Sequence, residues 1–151
     1  MKFTISTILL AIAGFVASAN IPAIVCSEAD RFGVISISPS GKPFNAGDNI
    51  SIHIDFTCAI THSGIVPKFL DYTIEVPAPL NNGFEPTISL ARRTLSPGAT
   101  VDSFTTKIPH EFFTAGAPYS VVLTDTYPIN GTDGSEVLRE GGVLASITIN
   151  V

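Results

Sequence analysis

The chain has 151 residues, 13 of them acidic against 8 basic, for a net charge of −5 at pH 7. An acidic balance without a basic cluster excludes nucleic acid and anionic membrane as partners, since both require concentrated positive charge. Low charge density and plentiful Ile, Val and Phe exclude a disordered chain.

Lys2, the apolar run Ile5–Val16 and the small residues Ala17-Ser18-Ala19 read as a secretory signal peptide over residues 1–19, with the mature protein starting at Asn20. As a membrane anchor the run falls short of the roughly 20 residues a spanning helix needs, and Gly14 interrupts it. The C-terminal stretch Val143–Val151 alternates apolar residues with Ser146, Thr148 and Asn150, so it reads as a strand and not as a glycolipid-anchor tail. Residues 20–151, roughly 130 in all, suit one domain with its own core.

The segment Phe32–Ser38 is a first predicted strand, and Pro39–Pro43 a turn. The clearest signal follows: Ile50, Ile52, Ile54, Phe56 and Cys58 alternate with Ser51, His53, Asp55 and Thr57, the period of a half-buried antiparallel strand. Ala59–Pro67 reads as a linker. Leu70, Tyr72, Ile74 and Val76 then alternate with Asp71, Thr73 and Glu75, and Pro77-Ala78-Pro79 stops that strand because proline cannot donate to a ladder.

Thr87–Leu95 is a shorter strand with Ile88 and Leu90 facing in, and Val101–Ile108 another. Pro109–Pro118 is a bend. Tyr119, Val121 and Leu123 open the next strand, with Tyr119 either where sandwich folds set a tyrosine whose hydroxyl bonds back to nearby backbone or simply packed in the core. Pro128–Gly142 reads as a long polar loop before the closing strand at 143–151. About seven short alternating strands with regular turn signals predict an all-β, immunoglobulin-like or fibronectin type III-like antiparallel sandwich, with a jelly roll or small barrel as the alternative.

Cys26 and Cys58 are the two cysteines, and an even pair in an exported chain implies one disulfide. If residues 32–38 hairpin into 49–57, the sulfurs face each other across adjacent antiparallel strands. Closing that loop stabilises the fold by roughly 3–4 kcal/mol in the chain-entropy view. Cysteines on the first two strands, and the missing tryptophan, argue against an antibody-type domain. Asn49-Ile50-Ser51 and Asn130-Gly131-Thr132 are glycosylation sequons, meaningful on a eukaryotic secretory route, and the second sits in the long polar loop.

Ser38-Pro39, then Phe44-Asn45-Ala46-Gly47-Asp48 before the alternating strand, and later Ile108-Pro109, Phe112, Ala115-Gly116 and Pro118-Tyr119 leading into Val121 and Leu123, resemble the immunoglobulin-like domain of small secreted fungal cell-wall proteins. That group includes the N-terminal domain of proteins associated with β-1,6-glucan assembly. The resemblance implies an immunoglobulin-like fold and a place in or near the cell wall. It carries no catalytic residue with it. Members commonly have tryptophan where this chain has Phe56, and often a Ser/Thr-rich anchor tail that this sequence does not show.

Candidate chemistry is sparse. His53 and Asp55 share the polar face of one strand and His62 follows, but a metal would need a further ligand, and exposed polar residues on a strand are usually solvated. His110-Glu111 lacks the helical spacing of a zinc protease, and no nucleophile elbow or phosphate-cradling glycine loop occurs. Asp48, Asp55, Asp71 and Glu75 supply carboxylates without a pairing that points to glycoside hydrolysis. Arg92-Arg93 reads as a surface pair. No cofactor, metal or catalytic residue is expected.

Binding therefore falls to loops and strand ends, where Phe84, Phe112, Phe113 and Tyr127 are the aromatic candidates and Leu80 accompanies Phe84. Alternatively, these rings cap the core. The expectation is a secreted, non-enzymatic sandwich whose partner is cell-wall polysaccharide or an extracellular protein. A carbohydrate-binding module for glucan or chitin is the second reading, and a secreted hydrolase the third. An exposed aromatic row on one face would favour carbohydrate. Polar faces with apolar loop tips would favour a protein partner.

Overall fold

The structure, a computed structural model, describes residues 25–151. The expected signal peptide and the start at Asn20 lie outside these residues. Seven strands form: β1 (Val34–Ser38), β2 (Asn49–Asp55), β3 (Phe69–Glu75), β4 (Ile88–Arg93), β5 (Val101–Lys107), β6 (Ser120–Asn130) and β7 (Glu136–Ser146). Two short helical turns accompany them, a 3-10 turn at Glu28–Asp30 and α1 at Thr57–Thr61. The strands pair antiparallel into a three-stranded sheet, β1-β2-β5, and a four-stranded sheet, β4-β3-β6-β7. This is the expected immunoglobulin-like sandwich, with its fourth strand on the larger sheet as in fibronectin type III-like domains.

Period-2 alternation sets which side chains meet. Ile50, Ile52 and Ile54 of β2 face Leu70, Tyr72 and Ile74 of β3 and Val121 and Leu123 of β6, all fully or almost fully buried. Each such side chain contributes about 1.5–3 kcal/mol from apolar burial. Tyr119 takes the corner position, where its hydroxyl oxygen accepts the N–H of Thr114 at 2.9 Å.

Inside the sandwich lies one charged cluster that spans both sheets. Asp102 of β5, opposite Ile54, projects inward and accepts the Tyr72 hydroxyl at 2.9 Å. It also receives a bidentate pair from Arg93 of β4, Nε at 2.8 Å and Nη2 at 2.9 Å. The Arg93 guanidinium lies 4.7 Å from the centre of the Phe104 ring, and that ring meets Tyr72 edge-on at 4.8 Å. Burial pushes the Asp102 carboxyl up, but hydrogen bonds from Arg93 and Tyr72 outweigh it and hold the group below the ordinary aspartate value.

Several expectations are corrected. Arg92 and Arg93 are not a surface pair. A bulge leaves Leu90 without a partner between Tyr72–Ala91 and Thr73–Ser89, so Arg93 turns inward opposite Leu70, while Arg92 stays outside on Asp71. The cysteines are bonded as expected, yet neither lies on a strand. The Asp55 carboxylate accepts the N–H of Thr57 at 2.8 Å, and a helical turn takes the end of the expected strand, Thr57 and Cys58, together with the start of the expected linker. The bridge therefore joins α1 to the segment preceding the 3-10 turn, with Cα atoms 5.4 Å apart.

The long polar loop at 128–142 is instead the far half of a hairpin. β6 and β7 pair continuously from Ser120–Ser146 to Asn130–Glu136, and the turn occupies only the residues between Asn130 and Glu136. Pro128 is tolerated because β3 begins at Phe69, opposite Thr126, so no ladder needs its missing N–H. The closing strand stops at Ser146, after which Ile149 bridges in parallel to Phe44.

The cluster at Asp102 gives a direct test. Asp102→Ala leaves the Arg93 cation, itself about a third exposed, and the Tyr72 hydroxyl without their partner and should cost about 2–3 kcal/mol in denaturant unfolding. A loss under about 1 kcal/mol would show that the two sheets do not depend on it.

Candidate binding surface

Strand register divides the loops between two ends. Glu75 lies opposite Ser120, and Ser120 opposite Ser146. The loops joining β3 to β4 and β5 to β6 therefore emerge at the same end. At the other end are the disulfide, α1 and the β6–β7 turn.

The β3–β4 loop is held by asparagine side chains. The main-chain N–H groups of Leu80 and Asn81 donate to the carbonyl of Pro77. Asn81 then accepts the N–H of Gly83 at 2.6 Å and donates to the carbonyl of Glu85 at 2.7 Å, while Asn82 accepts the N–H of Phe84 at 3.1 Å. These local bonds replace a ladder as the source of order. They leave the Phe84 side chain in solvent, 83% exposed, with Leu80 62% exposed on the same loop.

In the β5–β6 loop, neighbouring phenylalanines separate. Phe113 turns inward and meets Tyr119 edge-on at 5.3 Å, while Phe112 is forced outward and is 95% exposed. Two rings of this size are thus left in water on loops at the same end of the sandwich.

The sequence candidates thus split. Phe84 and Phe112 are available to a partner. Phe113 and Tyr127 are buried, and the expectation that they present rings to a ligand is corrected: Phe113 fills the corner under Tyr119, and Tyr127 faces the core beside Phe32, ring centres 6.1 Å apart.

The outer face of the three-stranded sheet is largely polar. On the outer face of the three-stranded sheet, His53 Nδ1 lies 2.7 Å from Ser103 Oγ, and Ser51 Oγ lies 2.8 Å from Thr105 Oγ1. His53 and Asp55 do share this face, both exposed, and Asp55 is engaged by Thr57. Among the described residues no group of three or more His, Cys, Asp or Glu could hold a metal ion, and no helix is long and apolar enough to cross a membrane. Phe69, at the start of β3, is the aromatic on the outer face of the four-stranded sheet. Both sequon asparagines are exposed, Asn49 at the start of β2 and Asn130 at the end of β6 beside the tight turn.

Asp125 is the ionisable group that sequence patterning missed. It sits among the inward residues of β6, 0% exposed, and neither carboxyl oxygen has a hydrogen-bond partner. Burial pushes its pKa up to about 6. The nearby N–H groups of Asp125 and Gly141 pull it down slightly without bonding to it. Its cross-strand neighbour must be glycine, because the Phe32 ring occupies the place of a Cβ at Gly141.

Comparison with protein-family models, with curated proteins and with solved structures finds no match to this chain.

An acid whose folded pKa exceeds its unfolded value favours folding at low pH, and that contribution is lost as pH rises through the folded value. Asp125 therefore makes the protein more stable near pH 4 than near pH 7. The shift of about two pKa units corresponds to roughly 3 kcal/mol. Thermal melts should show stability falling between about pH 4 and pH 7, and Asp125→Asn should remove most of that slope. An unchanged slope in the variant would assign it to other groups.

Proposed function

We propose that this protein is a secreted, non-enzymatic binding domain that engages an extracellular protein through its β3–β4 and β5–β6 loop end. The observation that carries the reading is the exposure of Phe84 and Phe112 on loops whose backbones are otherwise ordered by their own hydrogen bonds. Ordered loops lose little entropy on docking, and exposed aromatic anchors are the side chains that dominate protein interfaces.

Secretion rests on the signal-like N-terminus and agrees with the Cys26–Cys58 bridge, because disulfides persist in oxidising compartments. The outer sheet faces, with Phe69 as their exposed aromatic, lack the row of rings on which a sugar polymer would stack, which favours a protein over wall polysaccharide. A place in a fungal cell wall follows from the resemblance alone and belongs to the same proposal.

The test compares wild-type mature protein with Phe84→Ser/Phe112→Ser, both checked for an unchanged thermal midpoint. Proximity cross-linking to the extracellular proteins of the producing organism should enrich one partner with wild type. The double variant should lose it by at least tenfold, the effect of removing two anchors of more than about 1 kcal/mol each. Retention of wild type on insoluble β-glucan or chitin, lost in the same variant, would contradict the protein reading in favour of carbohydrate.

A further inference from the structure

A sandwich has four strand edges, and three of them here carry features that discourage pairing with another chain. β1 is five residues long and runs into Pro39. β4 is six residues long, bulged at Leu90, and carries Arg92 and Arg93. β5 ends in Lys107 and turns Ser103 and Thr105 to solvent. Short length, bulges, proline and lysine are the usual means of protecting an edge.

The fourth edge carries charge alone, Glu136, Arg139 and Glu140, all toward the β6–β7 turn. β7 runs for 11 residues in unbroken register with β6 and contains no proline or lysine. Among the described residues, no main-chain hydrogen bond joins its outer edge to another segment. Leu138 and Leu144 stand on its outer face, 47% and 51% exposed, at equal distances from Gly141.

We propose that two copies of this chain associate edge to edge through β7, paired antiparallel about a two-fold axis at Gly141, so that the four-stranded sheets of both copies become one continuous sheet. Directly opposed residues in an antiparallel pair share a face, so a symmetric pair can be centred only on a residue, and overlap and charge together decide which one. Centring on Arg139 sets that residue against itself. Centring on Glu140 does the same with carboxylates, and centring on Leu138 opposes Glu136 to Glu140. Centring on Gly142 sets Glu140 against Leu144. The axis at Gly141, the midpoint of β7, pairs the whole strand from Glu136 to Ser146, opposes no like charges, sets Arg139 against Val143, and places Leu138 against Leu144 of the second copy, twice.

The inner face fits the same register. It sets Val137 of the second copy, exposed in a single chain, against Ala145. Ala145 lies at a groove of about 400 Å³ in the open seam between β1 and β7, lined by Ile35, Ile37, Phe44 and Ile147. An edge pairing thereby covers apolar surface on both faces and satisfies main-chain groups that otherwise face water. This association uses β7 and is independent of the loop end.

Sedimentation equilibrium of the mature chain is the first test. A single strand pair is smaller than a standard interface, so the mass should rise toward twice the monomer value only between roughly micromolar and millimolar concentration. Leu138→Lys and Leu144→Lys change side chains exposed in the monomer, so each should keep the wild-type melting temperature and stay monomeric. To fix the register, Leu138→Cys and Leu144→Cys are oxidised separately and then mixed, with the native disulfide intact. The mixture should give cross-linked dimer several-fold above either variant alone. A chain that remains monomeric at millimolar concentration overturns the proposal and leaves the edge to an extended segment of another protein. Equal cross-linking by one variant alone overturns the register.

Discussion

The carboxylate of Asp102 holds the two sheets in one arrangement. Packed apolar faces can slide with modest loss, but a bidentate Arg93 pair with the Tyr72 hydroxyl bonds at one position only. The cluster joins β5 of one sheet to β3 and β4 of the other, and it exists because a bulge at Leu90 rotates Arg93 inward. A buried ion pair recovers its desolvation cost only when its hydrogen bonds are complete, and here both carboxyl oxygens and the arginine fork are engaged. Asp125 is the contrasting case, a carboxyl of similar burial with no partner, which becomes easier to bury once protonated. The two side chains respond to pH in opposite senses. Asp102 loses its contribution as pH falls from the ordinary aspartate value through its lowered folded one, and Asp125 loses its own as pH rises.

With the sheets fixed, the loop ends inherit their geometry. The Tyr119 hydroxyl accepts the N–H of Thr114 and the Phe113 ring packs under it, so the chain between β5 and β6 has its inward side filled. Phe112 has no inward site left. On the neighbouring loop, Asn81 and Asn82 bond the backbone around Gly83 and hold Phe84 away from the core. Two phenylalanines are exposed by an ordered framework, which distinguishes them from rings on a loose terminus.

Much of the fold was legible because β2, β3 and the first half of β6 bury one face and expose the other, which writes a clean period of two into the sequence. The cysteine pairing was legible from residue type, while Tyr119 could be placed near the corner but its hydroxyl bond could not be told from simple core packing. The β6–β7 hairpin was not: beyond Asp125 and Gly141 it passes the start of β3, both its faces approach solvent, and Pro128, Glu136, Arg139 and Glu140 mask the alternation. Arg93 and Asp102 were hidden for a different reason. A bulge adds a residue and reverses the facing, and an inward carboxylate is recognisable only once its partner from another strand is in place. Of the binding candidates, Phe84 and Phe112 share residue type and loop setting with Phe113, so the sequence offered nothing to separate an outward ring from an inward one.

Hydroxyl-radical footprinting of the native mature protein, read by mass spectrometry, tests most directly whether this framework holds rings outward. Oxidation should be strong at Phe84 and Phe112 and weak at Phe113, Tyr119 and Tyr127, the contrast between Phe112 and its neighbour Phe113 being the decisive pair. Equal modification of Phe112 and Phe113, or protection of both Phe84 and Phe112 in a monomeric sample, would contradict the account of the loop end as an ordered binding surface.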